Sequence, residues 1–226
     1  MPTIDPPLAT AVNTAVAAQF SKVEMNFDEA LQMAVALHRD MRLDGAESLY
    51  RRLLQLAPAD PNVKHFLGML LYQRGRPAER DEAILLMTES VQADPSVAAW
   101  HNNVGNALLE GQEHEAAAIA YERCIALDPG NVEPRSNLGC LLRGLGRIAD
   151  AEAMFKEALA LNPDAANVHA NYAMLLANAK RIPEAQHHYL RSLELQPLNP
   201  IVHKLLGVMY AQTGQLEKAA TIFREW

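Results

Sequence analysis

The chain repeats itself every 34 residues, and no other feature restricts its fold as much. "WHNNVGNALLEG" at Trp100–Gly111 returns as "PRSNLGCLLRGLG" at Pro134–Gly146, and more faintly as "VHANYAMLLANAK" at Val168–Lys180. Alanines stand at Ala46, Ala83, Ala117, Ala151, Ala185 and Ala219. Four residues after each comes a large side chain: Tyr50, Met87, Tyr121, Phe155, Tyr189 or Phe223. Small residues at Ala34, Gly68, Gly105, Gly139, Ala173 and Gly207, and prolines at Pro58, Pro95, Pro129, Pro163 and Pro197, hold the same register. The step is 34 throughout, apart from one of 37 in the second unit. A unit this short cannot bury a core alone and must stack on its neighbours.

Each unit reads as two helices. In the first, apolar residues keep helical spacing around the small residue, as in Leu138, Gly139 and Leu142, or Leu206, Gly207 and Tyr210. A mid-helix glycine lowers helix propensity, and close approach of a neighbouring helix is the expected compensation. Gly75, Gly146 and Gly214 mark a turn. The second helix then carries the alanine and, one turn on, the large residue on the same face. Pro183 falls near the start of one second helix, where its missing N–H costs little. The terminal proline ends the pair, because it disfavours helical geometry in the residue before it.

From Phe27 to Trp226 these residues resemble the tetratricopeptide repeat family. The resemblance implies an all-α, right-handed solenoid of about six helix pairs. The expected units are 27–60, 61–97, 98–131, 132–165, 166–199 and a truncated 200–226, with 1–26 as a tail or capping helix built on Leu8, Val12, Val16 and Phe20. Two departures stand out. The tryptophan expected early in the first helix is replaced by His101, Arg135, His169 and His203, with Trp100 one place early. Gly68 to Gly75 keeps the normal spacing, so the three extra residues of the second unit fall in "RPAERDE", Arg76–Glu82. The final helix stops at Trp226 before its proline, so a longer polypeptide is expected, with self-association through this open end as the alternative.

Composition narrows the function. Half of the 226 residues are hydrophobic, 21% are charged and the net charge is −7. No dense basic stretch is present, so neither nucleic acid nor an anionic membrane is an expected partner. No run of about 18 uncharged apolar residues occurs. The two cysteines, Cys124 and Cys140, lie in helical patterns, which suits reduced thiols and a cytoplasmic location.

Asparagines recur at Asn103, Asn137 and Asn171, two residues before the small residue. This placement is similar to that in the superhelical repeats of O-GlcNAc transferases, where an asparagine ladder grips the backbone of an extended substrate. The resemblance makes these three candidate peptide ligands. A carboxamide offers a donor and an acceptor side by side, matching one peptide unit. Helices packed about 8–10 Å apart would place one amide at about every third residue of an extended chain. Asn102 and Asn106 add polarity to the middle of the expected groove. The equivalents in other units are Gln32, Phe66 and Leu205, so unit two should be more apolar, with His65, Phe66, Met69 and Tyr72. Arg39, Arg143 and Lys204 are scattered and do not form a clamp for an acidic peptide.

Catalytic signatures are missing. Gly139 and Gly144 have the first spacing of a phosphate loop, but no Gly-Lys-Ser/Thr follows; Ala118 stands where a zincin's second histidine would be. His187 and His188 point about 100° apart on a helix and do not suit one metal ion; a solvated pair is expected. His101, His169 and His203 share a repeat position and read as packing residues, and Cys124 reads as core. No catalytic residue, metal or cofactor is expected in this region. The leading expectation is a module that holds an extended peptide or partner protein in a groove. The alternatives are the substrate-recruiting arm of a glycosyltransferase or methyltransferase whose catalytic domain follows residue 226, and a self-assembling scaffold.

Overall fold

Helix starts recur with the repeat. In the computed structural model, which describes residues 26–225, Asn26 opens the first helix with a capping box. Its side chain accepts from Glu29 N at 3.0 Å, and Glu29 accepts from Asn26 N at 3.1 Å. Asp60, Asn131 and Asn199 cap later first helices in the same register. Twelve α-helices follow one another among the described residues, with no strand. They are α1 (Phe27–Arg39), α2 (Leu43–Leu56), α3 (Pro61–Arg74), α4 (Arg80–Ala93), α5 (Ala98–Glu110), α6 (His114–Leu127), α7 (Val132–Gly144), α8 (Ile148–Leu161), α9 (Ala166–Asn178), α10 (Ile182–Leu195), α11 (Pro200–Gln212) and α12 (Leu216–Glu225). The N-terminal helix expected through Leu8 and Phe20 lies outside the described residues.

Second helices stop as expected. Ala57, Asp94, Asn162 and Gln196, each just before a repeat proline, leave the helical region with φ between −139° and −131°. The three extra residues of the second unit form a turn of 3₁₀ helix, Pro77–Glu79, ahead of α4. Arg74 ties this turn to the preceding pair. Its mostly buried guanidinium meets Glu47 at 2.7 Å, Asp44 at 3.3 Å and Glu79 at 3.4 Å.

The chain divides into two compact units, one ending at Glu113 and the other beginning at His114. In unit 1 the first helices α1, α3 and α5 adjoin in a row, and in unit 2 so do α7, α9 and α11. All six repeat alanines are buried, from 0% to 5% exposed. Tyr50, Met87, Tyr121, Phe155 and Tyr189 are buried with them, whereas Phe223 is 44% exposed. The small residues fit against these large ones. A Cβ added to Gly139 would sit 2.8 Å from the Phe155 ring, and one added to Gly68 would sit 2.6 Å from Met87 Cγ.

The turn between paired helices needs one left-handed residue. Gly75, Gly146 and Gly214 supply it, but Met41, Gln112 and Lys180 adopt the same conformation, with φ near 60°. An L-residue held there costs roughly 1 kcal/mol. Gln112→Gly and Lys180→Gly are therefore each expected to stabilise the fold by about 0.5–1 kcal/mol, read as a higher urea midpoint. Lower midpoints for both would remove this account.

Candidate functional site

The row of first helices in unit 1 carries a cavity of about 440 Å³. Asn103 from α5, Phe66 and Met69 from α3, and His38 and Arg39 from α1 line it, and Tyr50 and Trp100 complete its aromatic wall. Helical spacing explains the set, because residues three and four apart share a face.

Asn103 is half-buried and held by a directional chain of hydrogen bonds. Ser90 donates its hydroxyl hydrogen to Met87 O at 2.6 Å. Its oxygen then accepts from His65 Nδ1–H at 3.2 Å, which leaves Nε2 of the neutral ring as an acceptor. Asn103 donates to that Nε2 through Nδ2 at 3.1 Å. His65 is only 2% exposed, and burial pulls its pKa down to about 4, so the ring stays neutral at pH 7. It is stacked on Trp100, with ring centroids 4.7 Å apart. The carboxamide thus has a fixed orientation, and its carbonyl oxygen and second N–H are not used by the bond to His65.

In unit 2, Asn171 repeats the arrangement. Its Nδ2 donates to Ser136 Oγ at 3.3 Å, and Ser136 stands one residue before Asn137, as His65 does before Phe66. Asn137 and Asn171 are both half-buried, and so is Asn106. Asn102 differs. It is 5% exposed and does not line the cavity. Tyr72 does not line the cavity. Its hydroxyl donates to Glu110 at 3.0 Å, and burial with that carboxylate pushes its pKa up to about 12. The structure therefore brings Phe66, Met69 and Asn103 together in unit 1 and leaves Asn102 and Tyr72 out of that set.

The histidines at the tryptophan position pack as expected. His101, His169 and His203 each donate Nε2–H to the carbonyl of the proline that ended the preceding repeat, at 3.1, 2.9 and 2.8 Å. Arg135, at the same repeat position, instead donates Nη1–H to Asn131 O at 2.9 Å. His188 corrects the expectation of a solvated pair. Only His187 is exposed, whereas His188 is half-buried and meets His169 Nδ1 at 2.8 Å. Burial, then the neighbouring His169 and His187, lowers its pKa to about 4. Cys124 is fully buried, and burial pushes the Cys140 thiol up. Among the described residues no group of three or more His, Cys, Asp or Glu could hold a metal ion, and no helix is long and apolar enough to cross a membrane.

Spacing alone puts Phe66, Met69 and Asn103 in the expected groove, and it puts His65 there too. The orienting role of His65 is not legible in the sequence, since it depends on Ser90, 25 residues away in the next helix.

Comparison with known proteins agrees with the helix-pair fold. Family models described as tetratricopeptide repeat match residues 67–132, 120–153 and 142–208. The peroxisomal targeting signal receptor of Saccharomyces cerevisiae is 24% identical over 127 residues, which is 56% of this chain and 20% of that protein. The chain thus spans about a fifth of that relative's length. Among solved structures, pilF of Pseudomonas aeruginosa aligns with a TM-score of 0.72 at 21% identity, covering 86% of this chain and 87% of that one. YrrB, described as a TPR protein with an unusual peptide-binding site, aligns with a TM-score of 0.66 at 16% identity, covering 83% and 95%. The matched residues and the helix-pair architecture together show that the chain belongs to the tetratricopeptide repeat family.

Proposed function

We propose that the chain binds extended polypeptide along its first helices: in unit 1 Asn103 grips the backbone, and in unit 2 Asn137 and Asn171 offer a grip of the same kind within that unit. The observation that carries this reading is the Asn103 carboxamide, half-exposed on the wall of a cavity and oriented by the buried His65. A pre-oriented amide loses little freedom on binding, so its hydrogen bonds to a peptide unit count more fully. The peptide-binding site named for YrrB and the targeting-signal receptor of yeast support the same class of ligand.

The test uses one peptide selected from a random display library against the whole chain. Asn103→Ala is expected to weaken its binding by about 2- to 10-fold, the worth of one or two hydrogen bonds. Methylating single backbone nitrogens of the peptide should reproduce the loss at one position. The substitution also leaves His65 Nε2 without its donor, at a cost of roughly 1 kcal/mol of stability. Binding is therefore measured well below both melting temperatures. Unchanged affinity in the variant, together with indifference to backbone methylation, would remove the proposal.

A further inference from the structure

We infer that the unit 1 cavity takes one bulky apolar side chain of the bound polypeptide, about three residues from the peptide group held by Asn103. This deepens the preceding reading and rests on it. The motivating feature is a break in the repeat. At the position where the third, fourth and fifth units carry Asn103, Asn137 and Asn171, the second unit carries Phe66. A ring has replaced an amide, so the backbone grip is interrupted one repeat before Asn103. First helices packed about 8–10 Å apart, against an advance of about 3.3–3.6 Å per residue, put the two contacts about three residues apart on an extended ligand.

The lining fits such a residue. Phe66 is stacked against Tyr50, with ring centroids 6.2 Å apart, and Met69 and Met41 flank it. Met41 is 63% exposed and held on the left-handed turn, which sets its thioether at the rim as a polarisable apolar contact. Gln73 fixes the rim by bonding His38 at 2.8 Å and the Met41 sulfur at 3.2 Å. The charge is also selective. In a chain of net charge −7, the cavity is lined by the cation Arg39 and, among the described residues, by no carboxylate. Arg39 is itself paired with the exposed Asp40 at 3.8 Å, which offsets its charge, while a cationic guest would meet Arg39 and no carboxylate in the lining. The occupant is thus an uncharged peptide segment carrying a Phe, Leu or Met anchor.

The experiment uses four synthetic ten-residue peptides on one Ala/Ser scaffold, differing only at the anchor: Phe, Ser, Lys or Glu. Binding to the whole chain is followed by fluorescence of Trp100, which lines the cavity, and by calorimetry. The Phe peptide should bind about tenfold or more above the Ser peptide, the gain expected from burying an aromatic ring, with the Lys peptide weakest. Phe66→Asn, which restores the amide of the neighbouring units, should cut the Phe-over-Ser preference to less than about threefold. Met69→Ser should narrow it in the same direction, which guards against a Phe66 variant that folds poorly. Equal binding of the Phe and Ser peptides, with sensitivity to Asn103→Ala retained, overturns the anchor and leaves the backbone grip standing. No binding of any peptide at millimolar concentration overturns both.

Discussion

Gly68→Ala is expected to destabilise unit 1 by about 1 kcal/mol, although alanine is the better helix former. A Cβ at residue 68 would lie 2.6 Å from Met87 Cγ, 3.0 Å from Ala83 O and 3.2 Å from Met87 N. The methionine side chain can swing away, but the two backbone atoms cannot move without parting α3 from α4. Overpacking of this kind costs about 1–3 kcal/mol, against a helix-propensity gain of about 1 kcal/mol. Gly144→Ala is the matched control. Among the described residues nothing lies within 4 Å of its Cβ position at the end of α7, so only the propensity gain of up to about 1 kcal/mol operates there. Urea unfolding should move the two midpoints in opposite directions. Midpoints that both rise would show that helix spacing is not what selects glycine at residue 68.

That contrast marks what a sequence of this type discloses. Gly68 and Gly144 are the same residue, yet only the periodic series distinguishes them. Gly68 is in phase with Gly105, Gly139 and Gly207, whereas Gly144 is in phase with nothing. Repetition therefore reveals the helix pairs, the buried alanines and the large residues opposite the small ones, because each demand is met again in every unit. It reveals less where units differ. Half of the turn positions replace glycine, and Met41, Gln112 and Lys180 give no signal of a left-handed backbone. The caps are only partly periodic: Asn26, Asp60, Asn131 and Asn199 keep the register, but Val97 and Ala165 stand at the same boundary without a capping side chain. At the candidate site, the asparagines announce themselves by recurrence, but Asn102 and Asn103 are adjacent and equally polar. Only packing decides that Asn102 is buried while Asn103 reaches the cavity wall.

Lowering the pH should weaken unit 1 through His65, by about 3 kcal/mol between pH 6.5 and pH 4. The groups around this imidazole set the sign. Ser90 and Asn103 hydrogen-bond its two nitrogens, Trp100 stacks on one face, and Phe66 meets it edge-on at 6.0 Å; none carries a charge. The adjacent Lys64–Glu89 pair, at 2.7 Å, is matched in charge and offers no net compensation. Burial therefore disfavours the imidazolium and lowers the pKa from 6.5 to about 4. With the folded pKa below the unfolded one, the unfolded chain binds more protons in this window, and stability rises with pH. The contribution is complete above pH 6.5, declines as the pH falls through the window, and is gone below about pH 4. Its size follows from the tenfold change in proton affinity that each pH interval of one represents, about 1.4 kcal/mol. Protonation also turns Nε2 into a donor facing the Asn103 donor, so the carboxamide must rotate or leave. Peptide affinity at Asn103 should consequently fall over the same range. His65→Gln, which cannot titrate, should flatten the pH dependence of unit 1 unfolding while leaving that of unit 2, where His188 has its own depressed pKa. An unfolding profile for wild type and His65→Gln that runs parallel from pH 7 to pH 4 would show that the buried ring does not hold Asn103 in the way the hydrogen-bond chain requires.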